Sequence, residues 1–268
     1  ASFEGEDSIT WIGQSTLLIK INGVTILTDP YFTQYASPLA FAGPQRFAEP
    51  GMPADALPEI DVLIISHNHY DHLDAEFIES LPNKEHVQVM VPLGLGAFFI
   101  ERGYSQIHEL DWYQSATLGD MVFSALPSVH YSGRGVGDKN ETLWCSWAIS
   151  TPVGNYYFIG DSAYSPSLFK ELGKHFEPFD LAMLTIGTYG NRKYGVNNHT
   201  TPEEAVEIGK QINAKMLMGI HWGTIDLSDE APWEPPQRFR QAASNSGYSS
   251  ESVWLFKIGE TRKLPHRQ

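Results

Sequence analysis

Cysteine is almost absent: Cys145 alone occurs in 268 residues, which excludes an intrachain disulfide and a thiolate cage for structural zinc. Between Trp144 and Trp147, it reads as a small buried side chain. Basic residues are also scarce. Eighteen Lys and Arg stand against 32 Asp and Glu, a formal charge of −14, and such a field disfavours nucleic acid and anionic membrane surfaces. No Lys/Arg cluster offsets it. No apolar run approaches the length of a bilayer span, and no basic-then-apolar signal opens the chain. A cytoplasmic protein without stable membrane insertion is expected, although the missing initiating Met is equally compatible with a removed leader. Internal repeats, heptads and low-complexity tracts are lacking too.

What the chain does have is histidine in an ordered pattern. His67-Asn68-His69-Tyr70-Asp71-His72 follows the apolar, β-branched run Asp61–Ser66, which reads as a buried strand. Leu73–Leu81 then resumes with helical spacing, so the ligand-type residues sit in a loop between two rigid elements, where a metal site belongs. Neutral imidazoles with a carboxylate suit zinc, and burying them without an ion is costly. The alternative is an exposed polar loop, but strand-motif-helix is the context that supports the metal.

Taken in order, Thr10–Gly13, Thr16–Ile21 and Val24–Thr28 read as strands, the last two joined by a type I′ turn at Asn22-Gly23. Tyr31 to Pro58 has no period and reads as a long loop, of the kind that forms lids or binding walls. Further strands are expected at Val87–Val91, Met121–Leu126, Leu143–Ser150, Asn155–Ile159, Phe179–Ile186, Lys215–Ile220 and Ser252–Ile258. Helices are expected at Leu93–Arg102, interrupted early by Gly94 and Gly96, at Ser165–Lys174 with Ser165 as cap, from Thr201-Pro202-Glu203-Glu204, and around Pro236–Ser244. Strands thus dominate both halves, and candidate ligands spread from His67 to His221 favour a single domain over residues 1–268.

The histidine motif resembles the metallo-β-lactamase superfamily, whose pattern also requires a later His, a bridging Asp and a final His. His130, Asp161 and His221 are present in that order, each just past an apolar run. Leu27-Thr28-Asp29-Pro30, Ser66–Asp74, Val91-Pro92-Leu93-Gly94-Leu95, Glu109-Leu110-Asp111-Trp112, Pro202-Glu203-Glu204-Ala205-Val206 and Ile220-His221-Trp222-Gly223-Thr224 narrow the likeness. They resemble the N-acylphosphatidylethanolamine-hydrolysing phospholipase D family.

That resemblance implies an α/β fold, a four-layer αββα sandwich of two mixed sheets flanked by helices. It implies two Zn²⁺ ions, with Mn²⁺ or Fe also suited to the carboxylates. His67, His69 and His130 are expected to hold one ion, Asp71, His72 and His221 the other, with Asp161 bridging. Asp29 is open to three roles, as a ligand, a turn former or an outer acceptor orienting a ligand His; because the resemblance fills both metal positions, the outer role is expected. His199, in the loop before the helix at Pro202, is either solvated or faces substrate, and it matches a family position near the substrate. His86, His108, His175 and His266 lack ligand-like neighbours and read as surface or structural residues. Two departures stand out: Gln14 occupies a position where the family usually has His, and Gly190–Val196 is less apolar, which points away from long acyl chains. The long N-terminal extension of animal members is absent, which points away from membrane attachment.

The reaction implied is hydrolysis of a phosphodiester, N-acylphosphatidylethanolamine to N-acylethanolamine and phosphatidic acid. A metal-bridging hydroxide is the expected nucleophile, with Asp71 and His199 as the catalytic candidates. Lactone opening on a phosphorylated sugar or acyl lactone is the second enzymatic reading, and a non-catalytic metal- or ligand-binding domain is the reading of another class. The partner expected is a small molecule or phospholipid, not nucleic acid, and a homodimer is compatible with the composition.

Overall fold

The computed structural model describes residues 5–191 and 197–267. The turn at Asn22-Gly23 shows how local chemistry starts the fold. Both residues have positive φ, 51° and 76°, as a type I′ turn demands, and they fold β2 (Thr16–Ile21) against β3 (Val24–Thr28) in antiparallel register. With β1 (Ser8–Gly13), β4 (Val62–Ile64), β5 (Gln88–Pro92) and β6 (Gln106–Leu110) they form a seven-stranded mixed sheet, closed at one edge by a late strand, β14 (Thr261–Lys263).

The second seven-stranded sheet runs β13-β12-β11-β10-β9-β8-β7. Its members are β7 (Ser115–Leu118), β8 (Met121–Leu126), β9 (Ser146–Thr151), β10 (Gly154–Phe158), β11 (Leu181–Thr185), β12 (Leu217–Ile220) and β13 (Val253–Trp254). Pleat alternation lets each central strand serve two layers. In β4, Val62 and Ile64 face the core between the sheets while Leu63 faces outward; in β11, Leu181 and Met183 face inward while Ala182 and Leu184 face outward.

The outward sides are covered by helices. Phe77 and Ile78 of α1 (Ala75–Ser80) and Phe99 of α2 (Gly96–Ile100) pack on the first sheet. Phe169 and Leu172 of α3 (Pro166–His175), Val206 and Ile208 of α4 (Pro202–Gln211) and Phe239 of α5 (Glu234–Asn245) pack on the second. The result is two mixed sheets between outer helices, the metallo-β-lactamase architecture.

Several expectations need correction. Edge strands β6, β7 and β14 are absent from the sequence reading. The helix expected at Leu93–Arg102 begins only at Gly96, because Gly94 turns at φ 90°. The strand expected over Ser252–Ile258 pairs only at Val253–Trp254. Ser165 occupies the cap position of α3 without a side-chain cap bond, whereas Thr201 closes a full capping box with Glu204 on α4. The Gly190–Val196 segment falls largely outside the described residues, which stop at Asn191 and resume at Asn197.

Candidate metal centre

Parallel pairing brings strand ends together, and ligands collect where parallel strands end. Asp29 follows β3 and the His67–His72 loop follows β4, which run parallel. In the other sheet Asp161 follows β10 and His221 follows β12, parallel through β11. His130 follows β8, which runs alongside them, being antiparallel to β9 as β10 is. All seven ligand candidates therefore meet at one edge of the sandwich.

Among the described residues four overlapping groups of donors lie close enough to share an ion, Asp29 with His67 and His72 and Asp161 with His199 and His221 among them, and the other two take in all seven ligand candidates. His67, His69, His130 and Asp161 form one of these two; Asp71, His72 and His221 form the other. His67 Nε2 lies 2.8 Å from His69 Nδ1, which lies 3.2 Å from His130 Nε2. In the second group His72 Nε2 is 3.2 Å from His221 Nε2 and 3.4 Å from Asp71 Oδ2, with His221 Nε2 3.3 Å from that same oxygen. Asp161 joins them: Oδ2 is 3.8 Å from His67, 3.6 Å from His130 and 3.1 Å from His72, and Oδ1 is 3.3 Å from His221. Ligands about 2.1 Å from a tetrahedral ion lie roughly 3.4 Å apart, so these spacings match the edges of two coordination shells sharing one carboxylate.

The far sides of the rings show why a cation fits. His72 Nδ1 meets Asp29 Oδ2 at 2.6 Å; His67 Nδ1 meets Ser66 Oγ at 2.9 Å, and that hydroxyl donates to Asp29 Oδ2 at 2.5 Å. His130 Nδ1 faces the Asn198 carbonyl at 3.1 Å, and His221 Nδ1 faces Thr188 Oγ1 at 3.3 Å. Committing the Nδ1 protons to these acceptors leaves four Nε2 lone pairs converging on one another and on two carboxylates. Lone pairs at such distances repel unless a positive charge lies between them.

The titration behaviour carries the same message. Burial holds the imidazoles of His67, His69 and His130 below their ordinary range, and that of His199 at about 4. Burial also works against a charged His72, but the carboxylates of Asp161, Asp71 and Asp29 outweigh it and hold the ring well above its usual value. Burial opposes ionisation of Asp71 and Asp161 as well, yet the surrounding histidines keep both well below the carboxylate range. Two buried carboxylates that draw a proton onto His72 while burial keeps His67, His69 and His130 neutral make a place suited to a cation.

Asp29 lies outside these shells. It is fully buried at φ 34°, and besides His72 and Ser66 Oγ it accepts from Ser66 N at 2.6 Å. Its oxygens are thus spent on orienting His72 directly and His67 through Ser66. Gly160 makes this contact possible: a Cβ there would lie 2.3 Å from Ser66 Cβ. His199 stands between the groups, its ring 5.3 Å from those of His130 and His221 and its Nδ1 3.7 Å from Asp161 Oδ2. His86, His108, His175 and His266 lie elsewhere; His108 bonds Gln88, and His86 is exposed.

Three further residues position the loops, of which Arg134 and Arg46 carry no signal in the sequence and Ser66 has there a structural role alone. Ser66 carries the relay just described. Arg134 donates to the carbonyls of Asn68 and Leu73, at 2.8 and 2.7 Å, clamping both ends of the histidine loop, with its guanidinium 3.9 Å over the Tyr70 ring. Arg46, buried, binds the Tyr31, Thr33 and Ala48 carbonyls and so folds the long loop on itself. Only the nearness of Ser66 to the motif was a sequence signal; the arginines act across distances no local pattern reveals.

Above the donors opens a cavity of about 310 Å³, walled by Tyr70, Tyr131, Tyr189, Leu227 and Ala36, with His199 at its edge.

Residues 24–222 match the Beta-lactamase superfamily domain. The chain belongs to that family. An uncharacterised protein of Mycobacterium tuberculosis is 40% identical over 242 residues, covering 88% of this chain. The chain spans only 64% of the length of that relative. N-acyl-phosphatidylethanolamine-hydrolyzing phospholipase D 1 of Caenorhabditis elegans is 35% identical over 243 residues, covering 87% of this chain and 68% of that one. The isothiocyanate hydrolase from Delia radicum gut bacteria shares the fold, with a TM-score of 0.75 at 18% identity over 96% of this chain and 99% of that one. Superfamily membership and the donor clusters together support metal-dependent hydrolysis. Among the described residues no helix is long and apolar enough to cross a membrane.

Proposed function

We propose that the chain is a dinuclear-metal phosphodiesterase acting on an N-acylated ethanolamine phospholipid. The observation that carries this reading is the single carboxylate of Asp161 touching both donor groups, a pattern suited to two ions flanking one phosphoryl centre. The likeness to the nematode phospholipase supplies the substrate class. His67, His69 and His130 would hold one ion and Asp71, His72 and His221 the other, with Asp161 shared; five imidazoles favour zinc. Bound there, the ions would supply a water of lowered pKa and positive charge opposite the developing phosphoryl oxygens.

The chain's own residues do the rest. Asp29 and Ser66 fix the tautomers of His72 and His67. His199, neutral at ordinary pH because burial holds it near 4, can offer an N–H to a phosphoryl oxygen without adding charge. Tyr70, Tyr131 and Tyr189 wall the cavity in which the phosphodiester would lie. The loop that contributes Ala36 to the wall also exposes Leu39, Phe41 and Phe47, apolar surface for the acyl chains. In the overall reaction the oxygen of water bonds to phosphorus, the bond from phosphorus to the ethanolamine oxygen breaks, and that oxygen leaves protonated.

Incubation with N-acylphosphatidylethanolamine in H₂¹⁸O tests this. One ¹⁸O in phosphatidic acid and none in the released N-acylethanolamine is the expected result. Turnover of a sugar or acyl lactone with no attack on the lipid or on bis-p-nitrophenyl phosphate would replace the reading.

A further inference from the structure

Gln14, the position that departs from the family pattern, sits buried in the β1–β2 turn with left-handed backbone, φ 51°. Its main chain is tied to the His221 loop: the carbonyl accepts from His221 N at 2.9 Å, and the N–H donates to Thr224 Oγ1 at 2.9 Å. These bonds aim the side chain at the second donor group. Its terminal nitrogen lies 3.0 Å from Asp71 Oδ2 and 2.9 Å from His221 Nε2. Those two atoms are themselves 3.3 Å apart. The carboxamide end therefore stands from each ligand atom about as far as the ligand atoms stand from one another.

Without an ion, the two amide hydrogens complete both acceptors. An ion on His221 Nε2 takes the only lone pair there, since Nδ1 already faces Thr188. One buried N–H then points at a blocked nitrogen and a cation, an unfavourable arrangement. A half-turn of the carboxamide removes the conflict, and such groups take whichever orientation their partners dictate. It puts the carbonyl oxygen, a hard donor, toward the ion. Gln14 also borders a second cavity of about 460 Å³, lined by Arg46, Thr188 and Glu230 as well, so the turned amide has space beside it.

On the reading of Asp71, His72, His221 and Asp161 as metal ligands, we propose that Gln14 is a further oxygen ligand of the ion they hold. This ion then has a harder, more oxygen-rich environment than the one held by His67, His69 and His130.

Chelator competition on metal-stripped protein with Zn²⁺ and with Mn²⁺ tests it without recourse to activity. Gln14→Leu removes the oxygen, so the site formed by Asp71, His72 and His221 should lose about 10- to 100-fold in affinity, more for Mn²⁺ than for Zn²⁺. Gln14→Glu keeps an oxygen and adds charge, so its affinity should equal or exceed wild type. If Gln14 only donates a hydrogen bond to Asp71, Gln14→Glu will weaken binding as Gln14→Leu does, and the proposal is overturned. Unchanged affinity in both variants overturns it too. Wild-type protein that binds fewer than two ions overturns the two-metal reading itself, a distinct failure. Thermal unfolding of the stripped variants checks folding, and should Gln14→Leu not fold, the near-isosteric Gln14→Glu decides alone.

Discussion

Asp29→Asn exchanges one oxygen for an NH₂, and the hydrogen bonds around it leave that group no acceptor. Oδ1 accepts from Ser66 N, while Oδ2 accepts from Ser66 Oγ and His72 Nδ1, all within 2.6 Å. Whichever way the asparagine amide faces, a donor meets a donor in a fully buried place, at a cost of about 1–3 kcal/mol. The cheapest escape is for His72 to move its proton to Nε2, which withdraws the ring from the metal. Ser66 loses its charged acceptor as well, so the tautomer of His67 is no longer fixed. We therefore expect the metal-stripped variant to unfold at a temperature lower by several degrees. Its affinity for both ions should fall about 10- to 100-fold. The assay is chelator competition, read beside Ser66→Ala, which breaks only the branch to His67 and should weaken the His67 group while sparing the His72 group. Asp29→Asn protein that binds two ions within about twofold of wild type would refute the orienting role.

Asp161→Ala should abolish hydrolysis and weaken both ions together, because one carboxylate serves both groups; loss of a single ion, measured by elemental analysis, would show that it does not bridge. Gly160→Ala should lower stability and metal binding at once, since the added carbon collides with Ser66, and differential scanning calorimetry beside metal content would show it. Arg134→Met should free the Asn68 and Leu73 carbonyls and reduce stability by about 1–3 kcal/mol, with a faster metal-release rate in stopped-flow chelation. For the stripped chain, the lowered values of His67, His69, His130 and His199 mean that the unfolded state takes up protons first. Their contribution is complete above about 6.5 and is lost as pH drops through their folded values, about 4 for His199. The raised His72 acts in the opposite sense, contributing fully below about 6.5 and losing it as pH rises through its folded value. Asp29, raised by its burial, acts in the same sense as His72, and four groups against two predict a net loss in urea midpoint between pH 7 and pH 4.5.

The candidate metal ligands were legible as a group because their order is local. His67 to His72 lie in one loop, and His130, Asp161 and His221 each follow an apolar run that proved to be β8, β10 and β12. The Asn22-Gly23 turn and the Thr201 capping box were legible because each is complete within a few residues. Strands β6, β7 and β14 were not, since they are sheet edges with half-exposed, polar-interrupted sequences. Gln14 was visible only as an unusual residue at its position; its contacts with Asp71 and His221 span 57 and 207 residues. Arg134 and Arg46 act on backbone carbonyls, which leave no trace in a side-chain pattern.

Anomalous diffraction at the zinc edge from crystals of the metal-loaded chain tests the dinuclear centre most directly. Two peaks are expected, one about 2.1 Å from His67 Nε2, His69 Nδ1 and His130 Nε2, the other equally close to Asp71, His72 and His221, both contacting Asp161. A single peak, or two peaks with Asp161 bound to only one, would contradict the dinuclear reading.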